Sequence, residues 1–135
     1  MAHLDEAILA LLLANSAITD IVGQRIYPIR APDNPTLPML TYQRVSNIKE
    51  HCVSKEKATF TETLFQIDCW VKQETKISGL RTLATAIRDV LNDYRGVTSG
   101  IDIQAILSDN EFDQPWDDAL KIFGVTQRYR IFHRE

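Results

Sequence analysis

Two stretches of alternating apolar and polar residues constrain this chain more than anything else in it. From Ala58 to Lys72 (ATFTETLFQIDCWVK), Phe65, Ile67, Cys69 and Val71 fall on one side and Leu64, Gln66, Asp68 and Trp70 on the other. From Met39 to Lys49 (MLTYQRVSNIK), Leu40, Tyr42, Arg44, Ser46 and Ile48 alternate with Met39, Thr41, Gln43, Val45 and Asn47. A period of two, enriched in β-branched and aromatic residues, is the pattern of a strand with two different faces. Between the two runs, Glu50 to Lys57 (EHCVSKEK) is charged and poor in apolar residues. A hairpin with a long, mobile tip is expected there, and Lys49, His51, Lys55 and Lys57 are candidate residues of an assembly loop.

Helical spacing marks two further regions. Leu4, Ala7, Ile8, Leu11 and Leu12 recur at three and four residues, with Asp5 and Glu6 in the first turn, where the helix dipole favours anions. Ile18, Ile21 and Val22 resume the pattern after Ser16, a possible second start, and Gly23 ends it. Ile77, Leu80, Leu83, Ala84, Ile87, Val90, Leu91 and Tyr94 form one stripe and predict a helix over Glu74 to Arg95, stopped by Gly96. Before the first long strand, Arg25 to Ile29 suits a short edge piece. The proline-rich run RAPDNPTLP (Arg30 to Pro38) suits an extended loop, because proline removes backbone donors.

The chain ends in a second expected strand pair, Ile101 to Ser108 and Lys121 to His133, joined by the acidic connector Asp109 to Asp118 (DNEFDQPWDD). Gly124 marks a bulge or a close approach in the last strand. The expected fold is therefore α+β, an antiparallel four-stranded sheet with helices packed on one face, in the order α-β-β-α-β-β. The 135 residues suit one domain over the whole length.

Composition excludes several classes. With 44% hydrophobic residues, the chain is too apolar to be disordered as its main state. The 15 Lys and Arg against 18 Asp and Glu give a net charge of −3, which argues against a dedicated nucleic-acid binder. Cys52 and Cys69 make neither a CxxC pair nor a secreted disulfide framework, so a reducing compartment is expected. The apolar run Ala7 to Ala14 is far short of the roughly 18 residues a membrane span needs. Asp5 and Glu6 oppose its use as an export signal, and no membrane partner is expected.

Catalytic motifs are missing from the sequence: it has no nucleophile elbow, phosphate-cradling loop, dinucleotide fingerprint or HExxH. His51 beside Cys52 is the one pairing that suggests nucleophilic or metal chemistry. Neighbours on an extended chain point to opposite sides, however, and no second ligand pair accompanies them. Asp68, between Ile67 and Cys69, is the acid in the most apolar context, and a strand neighbour such as Arg44 is its expected partner. No catalytic, metal-binding or cofactor-binding residue is assigned, and no cofactor is expected. An enzyme using His51, Cys52 or Asp68 is the less favoured alternative.

Charge layout says more. Asp109, Glu111, Asp113, Asp117 and Asp118 place five acids and no base in ten positions, while Arg128, Arg130 and Arg134 share one strand parity. Such charges can pair across strands within one hairpin, at roughly 0.2–1 kcal/mol per opposed pair. They can also meet head to tail between copies, or touch phosphate, a use the acidic total disfavours. Trp116, between Pro115 and Asp117, is a large ring in a polar connector, suited to an interface or to folding back onto the sheet. Arg128, Arg130, Arg134, Asp109, Glu111, Asp113 and Trp116 are the candidate subunit-interface residues.

VGQRIYPIRAP (Val22 to Pro32), the Leu37–Pro38 pair, YQRVS (Tyr42 to Ser46) and FQIDCW (Phe65 to Trp70) together resemble the tail-completion proteins of long-tailed phages. These are small head–tail joining or tail-terminator proteins, found also in prophages and phage-derived particles. The resemblance extends through the helix after FQIDCW and the arginine-rich last strand, over nearly the whole chain. It implies a virion structural protein acting as a hexameric ring that caps the head-proximal end of the tail tube, stops tube polymerisation and joins tail to head. The implied partners are other copies of the chain, the tail-tube protein and the head–tail connector. Genomic DNA would pass through the lumen without being read, and the subunit would be built in the host cytoplasm. A head-completion adaptor or minor tail protein is the neighbouring alternative.

Overall fold

Helix α1 (Leu4–Leu13) turns Leu4, Ala7, Ile8 and Leu12 into the core and keeps Asp5 and Glu6 in its first turn. The computed structural model describes residues 3–30, 36–50, 60–72, 76–117 and 122–134. Asn15 breaks the helical run and restarts it. Its side chain accepts a hydrogen bond from the Ala17 amide at 2.9 Å and so caps α2 (Ser16–Val22), which Gly23 ends at φ +61°. Helix α3 (Ile77–Leu91) buries Leu80, Leu83, Ala84, Ile87 and Leu91 along one stripe.

The strands are β1 (Ile26–Pro28), β2 (Met39–Glu50), β3 (Phe60–Lys72), β4 (Gly96–Thr98), β5 (Ile101–Asp117) and β6 (Ile122–Arg134). They form one six-stranded sheet in the order β1-β2-β3-β6-β5-β4. The β1–β2 pair is parallel and every other pair is antiparallel, so the sheet is mixed. One core cluster joins the buried residues of all three helices to Leu40, Tyr42, Phe65, Ile67, Cys69, Val71, Ile103, Ile106, Val125, Tyr129 and Ile131 of the sheet.

This corrects the expected four-stranded antiparallel sheet in the order α-β-β-α-β-β. Two strands had no alternating signature because each is only three residues long. Strand β1 is held to β2 by backbone bonds from Leu40 N–H to the Arg25 carbonyl and from Ile29 N–H to the Tyr42 carbonyl. Strand β4 exists because α3 stops earlier than its apolar stripe suggested. Asn92 adopts extended geometry, its side chain accepts the Ser108 amide, and Asp93 donates its amide to the Ile106 carbonyl. The chain after Leu91 is thus captured by the sheet, and α3 spans about 22 Å, shorter than the expected helix over Glu74 to Arg95.

The acidic stretch 109–117 is strand, not connector. It pairs with β6 from Asn110 opposite Arg128 to Asp117 opposite Ile122. Register shifts at Ile103/Ala105, Ser108/Asn110 and Gln114/Asp117 absorb residues that do not alternate.

A candidate assembly surface on the sheet

The sheet face away from the helices carries a polar belt across four strands. Asp68 of β3 lies opposite Thr41 of β2 and Thr126 of β6. Thr41 Oγ1 donates to Asp68 Oδ2 at 3.4 Å, and Thr126 Oγ1 donates to Asp68 Oδ1. Each hydroxyl then accepts from outside: Thr41 from Trp70 Nε1 at 3.1 Å, and Thr126 from the Gln114 amide. Gln66 Nε2 reaches both oxygens of Asp68 at 3.2 Å, and Arg128 Nε donates to Gln66 Oε1 at 3.1 Å. Two hydroxyls and the Gln66 amide converge on one carboxylate, so Asp68 is buried but satisfied at both oxygens, which is the condition for a stabilising polar network.

Strand parity explains why Arg44 is not its partner. Arg44 lies opposite Phe65, on the helix-facing side, whereas Thr41 lies opposite Asp68. Gly124 admits Trp70 at the end of the belt: a Cβ there would stand 2.2 Å from the Cys69 carbonyl oxygen and 2.9 Å from Trp70 Cε3. That is the close approach its position in the strand suggested.

Further along the same face, Arg130 donates through Nε to Asp109 Oδ1 at 2.9 Å and through Nη1 to Glu62 Oε1 at 3.0 Å. The Asp109 hydrogen bond and charge, with Glu62 behind them, hold the Arg130 guanidinium above its usual range. Ile48, Leu64 and Ser46 border this ionic trio in a small recess, and exposed Leu107 lies opposite Arg130 on β5. Arg128 also stacks over Phe112, 5.3 Å from the ring centroid, a cation–π geometry.

The candidate interface residues are therefore split between two sides of the sheet. Arg130 meets Asp109, as cross-strand pairing allows. Glu111 and Asp113 turn towards α3 instead. Arg88 Nη1 lies 3.3 Å from Glu111, and Arg81 holds Asp113 by two bonds at 2.6 and 2.8 Å. The Arg81 hydrogen bond keeps the Asp113 carboxyl below its usual range. Gln127 Nε2 ties Glu111 and the Ala84 carbonyl together at 2.7 and 2.8 Å. Arg134 stands opposite Asp102 at the end of β6. Trp116 and Lys49 are placed in β5 and β2 by their backbones, with side chains outside the description, and His51, Lys55 and Lys57 lie outside the described residues.

Sequence reasoning missed Glu62, Arg81, Arg88, Gln66 and Phe112. Arg81 and Arg88 had a usable signal: seven residues apart, they share one flank of α3. Glu62 and Gln66 had none, because their roles depend on β6 lying beside β3.

Among the described residues the remaining polar groups are engaged in structural contacts. Burial pushes the Cys69 thiol well up, so it stays protonated and unreactive. A recess of about 210 Å³ gathers His3, Asp5, Arg44, Asn47, Thr63 and His133. There the Thr63 hydroxyl donates to Asn47 at 2.6 Å, so its 2.9 Å contact with His133 Nε2 is one in which the ring donates. A hydroxyl used in this way is not activated as a nucleophile. Among the described residues no group of three or more His, Cys, Asp or Glu is placed to hold a metal. Among them, too, no helix is long and apolar enough to cross a membrane.

The result is a mixed sheet with helices on one face, a self-satisfied polar belt on the other and exposed ion pairs on both. Comparison with known proteins gives it a class. A chain from the virion of a native gene transfer agent particle shares the fold, with a TM-score of 0.72 at 14% identity, over 96% of this chain and 92% of that one. No curated protein matches the sequence. The family model described as tail completion protein gp17 matches residues 6–134. The chain belongs to that family and is a structural component of a phage-type tail.

Proposed function

We propose that this protein completes the tail by assembling as a ring, with six copies the expected number, on the head-proximal end of the tail tube. There it ends tube polymerisation and presents a surface to the head connector, while DNA crosses the lumen without sequence readout. The observation that carries this reading is the family match over 6–134, supported by a fold shared with a chain of a phage-like particle.

The chemistry of the surface suits such a role. Arg128, Arg130 and Asp109 on the open sheet face offer charged groups already oriented by neighbours, so little side-chain freedom is lost on contact. Arg134 extends the proposed contact surface along β6, Glu111 and Asp113 carry it to the α3 side of β5, and Trp116 lies further along that strand. Its function is mechanical and cohesive rather than catalytic.

Electron microscopy of particles made without the protein tests this directly. Tails of uncontrolled length are expected. Full-length tails detached from heads would instead assign the chain to head completion, and normal particles would remove it from assembly altogether.

A further inference from the structure

Two strand edges of the sheet have no strand beside them among the described residues. Strand β1 accompanies β2 only from Leu40 to Tyr42, which leaves residues 43–50 open on that side. Strand β4 covers β5 only from Ile101 to Ile103. The segment after α3 continues the cover: Arg95 Nε donates to the Gln104 carbonyl, Asp93 N–H to the Ile106 carbonyl, and Ser108 N–H to Asn92. Beyond Ser108, residues 109–117 are open. Each open edge exceeds the length of a whole ordinary strand, about five or six residues. The residues from 43 to 48 and from 109 to 114 are exposed or half-exposed.

Strand alternation shows which backbone groups face outwards. Leu40 N–H and the Tyr42 carbonyl point to β1, so Arg44 N–H points the same way, away from β3. On β5 the Ile106 carbonyl and Ser108 N–H point outwards, and the register carries this side on to Glu111 and Asp113. Such rows of unpaired groups are templates for another strand.

Direction and charge select the partner. The long strands β2, β3, β6 and β5 each run antiparallel to the next, so β2 and β5 run in opposite directions. Rotation about an axis along the strands preserves their direction. The β2 edge of one copy and the β5 edge of the next therefore meet antiparallel, and the sheet continues across the boundary. Pairing β5 with β5 would oppose Asp109, Glu111, Asp113 and Asp117 to their own copies. The β2 edge instead brings Arg44 and Lys49 against a single Glu50. Arg130, Arg88 and Arg81 already partner three of the β5 acids, so charge biases the choice while backbone hydrogen bonds supply the contact. Bulges in both strands and Pro115, which lacks an N–H, restrict the registers that can form.

We propose that copies of this chain join head to tail by antiparallel pairing of the β2 edge, residues 43–50, with the β5 edge, residues 109–117, of the neighbouring copy. The inference rests on the ring reading and specifies how its subunits are joined.

The test places the photo-crosslinking residue p-benzoylphenylalanine at Val45, an exposed bulge position on β2. The full chain is irradiated in assembled particles and in isolation at high concentration. Mixed isotopic labelling distinguishes crosslinks between copies from those within one. Crosslinks to residues 109–117 of a second copy are expected. They should be lost on adding Arg44→Pro, which removes an outward N–H, and kept with Arg44→Ala. Crosslinks from Val45 to another segment of a second copy would overturn edge pairing and leave the ring standing. Particles in which no second copy lies beside Val45, and whose mass holds only one copy, would contradict both.

Discussion

Thr41 and Thr126 reach the carboxylate of Asp68 from the strands on either side, each giving its hydroxyl proton to a different oxygen. The three residues lock β2, β3 and β6 in one register on the face that no helix covers. A slip of one residue would place Asp68 among the core side chains and leave both hydroxyls without their acceptor.

Replacing that hub should cost more than an ordinary surface change. Asp68→Ala strands two hydroxyls and the Gln66 amide, and a loss of about 2–3 kcal/mol is expected. Asp68→Asn keeps the shape and one acceptor oxygen, and should lose about 1 kcal/mol. Denaturant unfolding measures both; a loss below a few tenths for Asp68→Ala would show that the belt contributes little.

Gly124→Ala should destabilise by about 1–3 kcal/mol or more, because the added carbon meets the Cys69 carbonyl and the Trp70 ring. Trp70→Ala removes only the ring, so the double variant should recover part of the loss. A neutral Gly124→Ala in thermal unfolding would contradict the close approach.

The Arg81–Asp113 pair is exposed, with side chains 44% and 56% accessible, so solvent screening limits its value to about 0.2–1 kcal/mol. A double-mutant cycle with Arg81→Ala and Asp113→Ala should give a coupling in that range that shrinks in high salt. Because the Asp113 carboxyl titrates below its unfolded value, the contribution is complete above about pH 4 and disappears as the pH falls further.

At the alkaline end the sign reverses. Burial raises the Cys69 thiol and the Tyr129 hydroxyl above their ordinary ranges, so the unfolded chain releases these protons before the folded one does. Stability should therefore fall as pH rises above about 8.5, and fall less steeply in Cys69→Ala. Denaturant midpoints measured from pH 7 to 10 check this, and a flat profile would contradict it.

The long elements were legible because burial imposes a period. Phe65, Ile67, Cys69 and Val71 alternate on β3, and Leu80, Leu83, Ala84, Ile87 and Leu91 repeat on α3, since each element has one face against the core. The helix restart was legible from the polar pair Asn15 and Ser16 breaking an apolar run, although Asn15 rather than Ser16 supplies the cap. Strand β1 was legible only as a short edge piece within Arg25 to Ile29, and β4 was not legible, because three residues cannot display a period and both are held by backbone bonds from their surroundings. Asp109, Glu111 and Asp113 read as a connector because they pair with arginines at the surface, so no apolar alternation marks their stretch as strand. The partners of Asp68 and Arg130 were hidden for another reason: β6 lies between β3 and β5, an order that no local pattern encodes.

We propose that this chain works by binding copies of itself at one end of a phage tail. Electron microscopy of intact particles at the head–tail junction tests it most directly. Density is expected for several copies arranged as a closed ring between the tail tube and the head, with the helix-free sheet faces of neighbours edge to edge. Particles whose junction contains no copy of this chain would contradict it.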